Sequence, residues 1–78
     1  MAIQFDDWQD VKVAYEVARL GTLTAAAESL GVHHSTVLRR INNLEDNLDA
    51  RLFHRHARGY TVTEIGAKLF ATAKSINA

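Results

Sequence analysis

Along this 78-residue chain, apolar positions recur at steps of three and four in four separate stretches. That spacing is the mark of helices that each bury one face. In the first stretch the stripe is Trp8, Val11, Tyr15 and Ala18. Asp6 with Gln9 three residues on resembles a capping box, and Gly21 ends the run. The second stretch is short. Thr22 or Thr24 can cap it, Ala25, Ala26 and Ala27 let a neighbouring helix approach closely, and Gly31 after Leu30 suits the left-handed turn that closes a helix. The third carries Val37, Ile41, Leu44 and Leu48 at i, i+4, i+7 and i+11, a narrow stripe at about 100° per residue. Its opposite side is Ser35, Arg39, Asn42 and Asp46, with Thr36 and Asn43 on one shoulder and Leu38 on the other.

The pattern then changes. Leu52 and Phe53 are followed by Gly59, a turn residue, and by Tyr60, Val62 and threonines that favour extended backbone. Two short strands joined at 56–59 make a hairpin with His56, Arg58 and Gly59 at its tip. Helical spacing returns after Thr63, a candidate N-cap with Glu64 in the first turn, where a negative charge suits the helix dipole. Ile65, Leu69, Ala73 (or Thr72) and Ile76 form the fourth stripe, with Phe70 beside it. Ile65 and Leu69 are expected to close the domain's own core. Phe70, Ala73 and Ile76 extend beyond what so small a globule easily covers, which favours a partner helix. The stripe runs to Ala78 without a stop signal, the expectation for an excised fragment or a truncated protein.

The fold class expected from these elements is mainly α with a small β-hairpin. A short Ala-rich helix, a glycine turn and a second helix are the skeleton of a helix-turn-helix, and the hairpin behind it is a wing. Residues 1–62 then form a winged helix-turn-helix, and 63–78 begin a further helix.

Length allows a single small domain. Nine basic residues balance nine acidic ones, so the whole chain has no bias toward a polyanion. The charge is nevertheless divided. Residues 1–32 hold Asp6, Asp7, Asp10, Glu16 and Glu28 against Lys12 and Arg19, while residues 33–63 hold Arg39, Arg40, Arg51, Arg55 and Arg58 against Glu45, Asp46 and Asp49. Phosphate attraction acts over about one Debye length, ~8–10 Å, so a neutral chain can hold DNA when its bases share a surface. Scattered solvated arginines are the blander account, and the segregation favours the sharper one. Absence of cysteine removes disulfides and thiolate metal sites and fits a reducing compartment. Apolar runs of only a few residues, with no signal pattern, fit a soluble cytoplasmic protein that has no membrane partner.

Candidate chemistry concentrates on the third helix. Ser35, Thr36 and Arg39 lie toward its N-terminal end, the part that penetrates deepest when such a helix docks in the major groove. Arg39 can reach guanine O6 and N7 or a phosphate, and the hydroxyls and the amides of Asn42 and Asn43 suit phosphates or bases. A basic hairpin tip can reach the backbone or place an arginine in a minor groove; equally, arginines keep an edge hairpin soluble. All four histidines, His33, His34, His54 and His56, fall in the basic block. Neither pair has the i, i+4 spacing of common zinc motifs, and no acidic or thiol ligand lies beside them, so no metal and no cofactor is expected. Protonated imidazoles beside arginines are instead expected to raise DNA affinity below about pH 6.5. His34 and Ser35 are adjacent helical residues that point about 100° apart and cannot pair as base and nucleophile. No glycine-rich phosphate loop, buried carboxylate pair or nucleophile elbow is present, so an enzyme is not expected.

The stretches VAYEVARLGTLTAAAESLGV, STVLRRINNLEDNL, RLFHR and RGYTVTEIG resemble, in unbroken order over residues 8–66, the N-terminal winged helix-turn-helix domain of LysR-type transcriptional regulators. The resemblance implies a sequence-specific bacterial regulator that binds double-stranded DNA at an interrupted palindromic operator, as a dimer or higher homo-oligomer. It implies a recognition helix at about 34–48 in the major groove and a wing at about 51–62 at the backbone or minor groove. The family's linker helix pairs two subunits, which would involve Leu69, Phe70, Ala73 and Ile76. Its effector-binding domain, through which a small molecule would act, is absent from these residues.

Carried over by position, His34 falls where the family often has a base-reading glutamine and Ser35 at the following proline or serine. Arg39 falls at the basic residue that contacts backbone or base. Thr24 matches a threonine that often touches phosphate, and Arg55 and Arg58 match arginines before and on the wing. His33 and His34 replace a common Ser-Gln pair, and Leu38 stands where serine is usual; leucine cannot donate, though it can pack on a thymine methyl. The alternative reading is a winged helix used for protein–protein interaction, its DNA face degenerate. The similar N-terminal domain of molybdate-responsive regulators matches STVLRRINNLE less well.

Overall fold

Turn chemistry sets most of the helix ends. The computed structural model describes residues 5–77, with side chains from Trp8 to Ser75. Its order is α1 (Phe5–Leu20), α2 (Leu23–Leu30), α3 (His34–Leu48), β1 (Phe53–His56), β2 (Gly59–Val62) and α4 (Glu64–Asn77). α1 begins one residue before the Asp6 cap expected from the sequence, and the Asp6 side chain lies outside the described residues. Of the two threonines open as caps, Thr22 takes the role: its Oγ1 accepts the Ala25 N–H at 3.1 Å, and Thr24 stands exposed in the first turn of α2. Gly31 closes α2 at φ 70°, and the Val32 N–H returns to the Ala27 carbonyl at 3.0 Å. Thr63 caps α4 as expected, accepting the Gly66 N–H while its own hydroxyl donates to the Arg51 carbonyl.

β1 and β2 pair antiparallel in the register Phe53↔Val62, His54↔Thr61, Arg55↔Tyr60 and His56↔Gly59. Two contacts bind this hairpin to the helices. The buried Glu45 carboxylate accepts the Leu52 N–H at 2.8 Å where the chain leaves α3. At the far strand the Tyr60 N–H donates to the Gly21 carbonyl at 2.8 Å. The approach is so close that a Cβ on Gly59 would run into that same carbonyl, and Gly59 also sits at φ 141°.

α1 lies at the centre, touching α2, α3, α4 and β2. Its buried side is Val11, Ala14 and Val17, while Trp8, Tyr15 and Ala18 are half-buried. The stripe read from spacing is thus turned by about one residue. With neighbours on several sides, the small and β-branched residues take the closest approaches and the large rings are left at the margin. Asp10 shares the buried side and pairs with Arg40 of α3, Nη1 to Oδ1 at 3.0 Å. At the α1–α2 junction Glu16 accepts from Arg19 and from Ser29, and the Arg19 bond above all holds its carboxyl below the ordinary range.

α4 requires the larger correction. Phe70 and Ala73 are buried in the chain's own core, and Leu69, half-buried, packs against it as expected, whereas Ile65 is 56% exposed. Phe70 meets Tyr15 edge-on at 6.3 Å and Phe53 at 5.5 Å between ring centroids. These rings are what fill the space behind the wing, a demand that helical spacing alone does not contain. The side chain of Ile76 lies outside the described residues.

Gly59→Ala is expected to destabilise the chain by at least about 2 kcal/mol, since it adds a backbone clash to a φ that side chains rarely adopt. Urea unfolding followed by far-ultraviolet circular dichroism measures this; an unchanged midpoint would remove the anchoring role of the Gly59–Gly21 contact.

Candidate nucleic-acid interface

α3 presents its polar side because its other side is committed. Val37, Ile41 and Leu44 are buried, together with Glu45, and Leu48 is half-buried. Opposite them His34, Ser35, Arg39, Asn42 and Asn43 are exposed, with Thr36 and Leu38 half-buried on the two shoulders. α2 supports this arrangement from below: Ala26 and Ala27 are buried, so the pair of helices can pack closely. Leu38 is therefore not an open gap in the polar face but a shoulder residue turned partly into the protein.

The N-terminus of α3 has an unusual cap. Nδ1 of His33 accepts the Ser35 N–H at 3.1 Å and lies 2.8 Å from the Ser35 hydroxyl. A backbone amide can only donate, so the ring is held with its proton on Nε2. The rings of His33 and His34 lie 4.2 Å apart. His33, not His34, is thus the imidazole beside Ser35, and it serves as a helix cap.

On the hairpin, Arg55 and Arg58 are exposed, as are His54 and His56. His56 Nε2 lies 2.9 Å from the Thr61 hydroxyl. Arg55 donates to the Asn42 amide oxygen at 2.9 Å and lies over the Tyr60 ring. The structure therefore brings Ser35, Arg39, Asn42 and Asn43 onto one face and joins the wing to it through Arg55. Thr24 stands apart, on α2.

Two roles escaped the sequence. Arg40, read only as part of the basic block, is taken up by Asp10, and the described ion pairs leave Arg39, Arg51 and Arg58 without a carboxylate partner. Glu45 is buried as the acceptor of backbone amides. A signal for the second existed: Glu45 follows Ile41 by four residues and precedes Leu48 by three, so an acid sits on the apolar stripe. An ionised group there needs donors, and the amides of the next segment supply them.

A model of the family described as bacterial regulatory helix-turn-helix protein, lysR family, matches residues 8–67. The chain is 42% identical over 67 residues to the HTH-type transcriptional regulator YofA of Bacillus subtilis (strain 168), a match over 86% of this chain and 24% of that protein. The full-length Vibrio cholerae virulence activator AphB superposes with a TM-score of 0.82 at 32% identity, over 87% of this chain and 23% of that one. The DNA-binding domain of CbnR, solved in complex with DNA, superposes with a TM-score of 0.84 at 30% identity, over 88% and 79% of the two chains. The chain thus spans about a quarter of the length of the curated relative.

His33→Ala is expected to lower stability by about 1 kcal/mol and His33→Ser to restore most of it, because serine is a strong N-cap. Thermal unfolding of the three proteins at pH 8 decides; an alanine variant as stable as the parent would mean that the imidazole does not cap α3.

Proposed function

Because the chain belongs to the lysR family of bacterial regulatory helix-turn-helix proteins, we propose that it is the DNA-binding domain of a transcriptional regulator and reads double-stranded DNA with α3. Ser35, Thr36, Arg39 and His34 enter the major groove, with Asn42 and Asn43 farther along the helix and Leu38 available to a thymine methyl. Thr24 and the wing arginines Arg55 and Arg58 hold phosphates or the minor-groove edge. The observation that carries this reading is the exposed polar face of α3, with Arg39 in no ion pair among the described residues and a basic hairpin fixed at its side. The likeness to a DNA-binding domain solved on DNA supports it. The reading includes no catalytic step. It places the protein in the cytoplasm, with the DNA it would read; separately, no described helix is long and apolar enough to cross a membrane.

Two copies would meet through α4, and a two-fold dimer reads an interrupted palindrome with half-sites about one helical turn apart or a multiple of it. The face available for this differs from the one spacing suggested. Ile65, Leu69 and Thr72 border an apolar hollow of about 360 Å³ with Leu48 and Leu52, whereas Phe70 and Ala73 are already used inside. Any small-molecule effector would act through a further domain.

Titrating random and selected duplexes by fluorescence anisotropy tests the DNA reading. Log K is expected to fall against log salt with a slope near −0.9 per phosphate neutralised, and Arg39→Ala to weaken the selected site by about 1–3 kcal/mol. If no duplex binds at low salt, the chain is a protein-interaction module instead. For the dimer, Ile65→Glu is expected to abolish self-association in sedimentation equilibrium while moving stability by no more than about 0.5 kcal/mol. Phe70→Ala should cost about 3–5 kcal/mol of stability. Self-association untouched by Ile65→Glu removes this face from the interface.

A further inference from the structure

We infer that Asn42 is a positioning residue for Arg55: its neutral amide seats the wing guanidinium against the recognition helix and leaves the full positive charge free for a DNA phosphate. The inference rests on the DNA reading above and deepens it.

Arg55 projects from β1 and is held on two sides. Its Nη2 donates to Asn42 Oδ1 at 2.9 Å, and its guanidinium carbon lies 5.7 Å from the centroid of Tyr60, its cross-strand partner. Both Asn42 and Arg55 are exposed, so the pair forms at the surface where the wing meets α3. Carboxylates are within the same neighbourhood. Asp46 and Asp49 border, with Asn42, Arg51 and Arg55, an open polar hollow of about 610 Å³. Yet among the described residues Arg55 makes no ion pair and takes the amide instead.

The choice of an amide matters. A carboxylate at position 42 would also hold the guanidinium, but it would cancel the charge that attracts a phosphate and displaces the cations condensed on DNA. An amide oxygen uses one of the five guanidinium donors and no net charge. The remaining donors stay open, and the side-chain freedom that a phosphate contact would have to freeze is already reduced before binding. On this account Asn42 acts through Arg55 and reads no base, although it stands on the outer face of α3.

The test uses the 78-residue chain, a duplex selected from a random library, and the variants Asn42→Ala, Asn42→Asp, Arg55→Ala and Asn42→Ala/Arg55→Ala. Binding across a salt series is expected to weaken about fivefold for Asn42→Ala, the worth of one hydrogen bond, and equally on selected and random duplex. Arg55→Ala should reduce the salt slope by about 0.9, and Asn42→Asp should reduce it by a similar amount although the seat is kept. Adding Asn42→Ala to Arg55→Ala should cost nothing further. If the Asn42→Ala loss persists in the absence of Arg55, or alters the preferred base at one position, Asn42 is a base reader and the inference falls. A second measurement needs no DNA: nitrogen-15 relaxation of the Arg55 Nε–Hε group should show it ordered in the parent and more mobile in Asn42→Ala. Equal mobility overturns the seat, whatever the chain binds. A parent chain that binds no duplex overturns the DNA reading, and the relaxation data then still decide whether Asn42 holds Arg55.

Discussion

The wing reaches α3 only because two backbones touch. Gly21 ends α1, and its carbonyl receives the Tyr60 N–H of the second wing strand. Gly59 sits against the same carbonyl with no room for a Cβ. That contact fixes the far strand of the hairpin, while Glu45 fixes the near one by accepting the Leu52 amide. Held at both strands, the hairpin turns one face, bearing Phe53, Arg55 and Tyr60, toward the helices: Phe53 packs on Tyr60 and Phe70, and Arg55 at its edge reaches Asn42. The core contact of Phe53 and the surface contact of Arg55 are consequences of one docking geometry.

The electrostatics follow the same division between framework and surface. Arg40 and Asp10 join α3 to α1 with a part-buried pair, the carboxylate buried and the guanidinium half-exposed. Arg39, one residue away and about 100° round the helix, stays on the polar face. A chain with equal numbers of acids and bases can therefore present a basic surface: Glu45 is spent inside on backbone amides, while Asp10 is matched by Arg40 and leaves the balance unchanged. Net charge says little about a binding face when the charges are sorted by burial.

Much of the fold was legible residue by residue. Gly21 and Gly31 marked two helix ends, Thr63 the cap of α4, and Gly59 the hairpin; the stripe Val37–Ile41–Leu44 pointed inward as its spacing required. The outward group of α3 was legible for the same reason, since it is the complement of that stripe. α1 and α4 were less so. In α1 the buried line ran through Val11, Ala14 and Val17 instead of through the larger rings, and in α4 Phe70 and Ala73 went inside while Ile65 stayed out.

What the sequence determined by itself was therefore local: where helices start and stop, where the chain turns, and which side of α3 is apolar. These depend on backbone dihedrals, caps and the helical period, all of which act within a few residues. What only the tertiary structure decided was which of two adjacent stripes each flanking helix buries, which arginine is consumed by an acid, and that the wing meets α3 through Asn42 and Arg55. Adjacent stripes lie about 100° apart at most and differ little in apolar content, so the choice falls to partners distant in the chain. Phe70 is inside because Phe53 and Tyr15 are there to receive it.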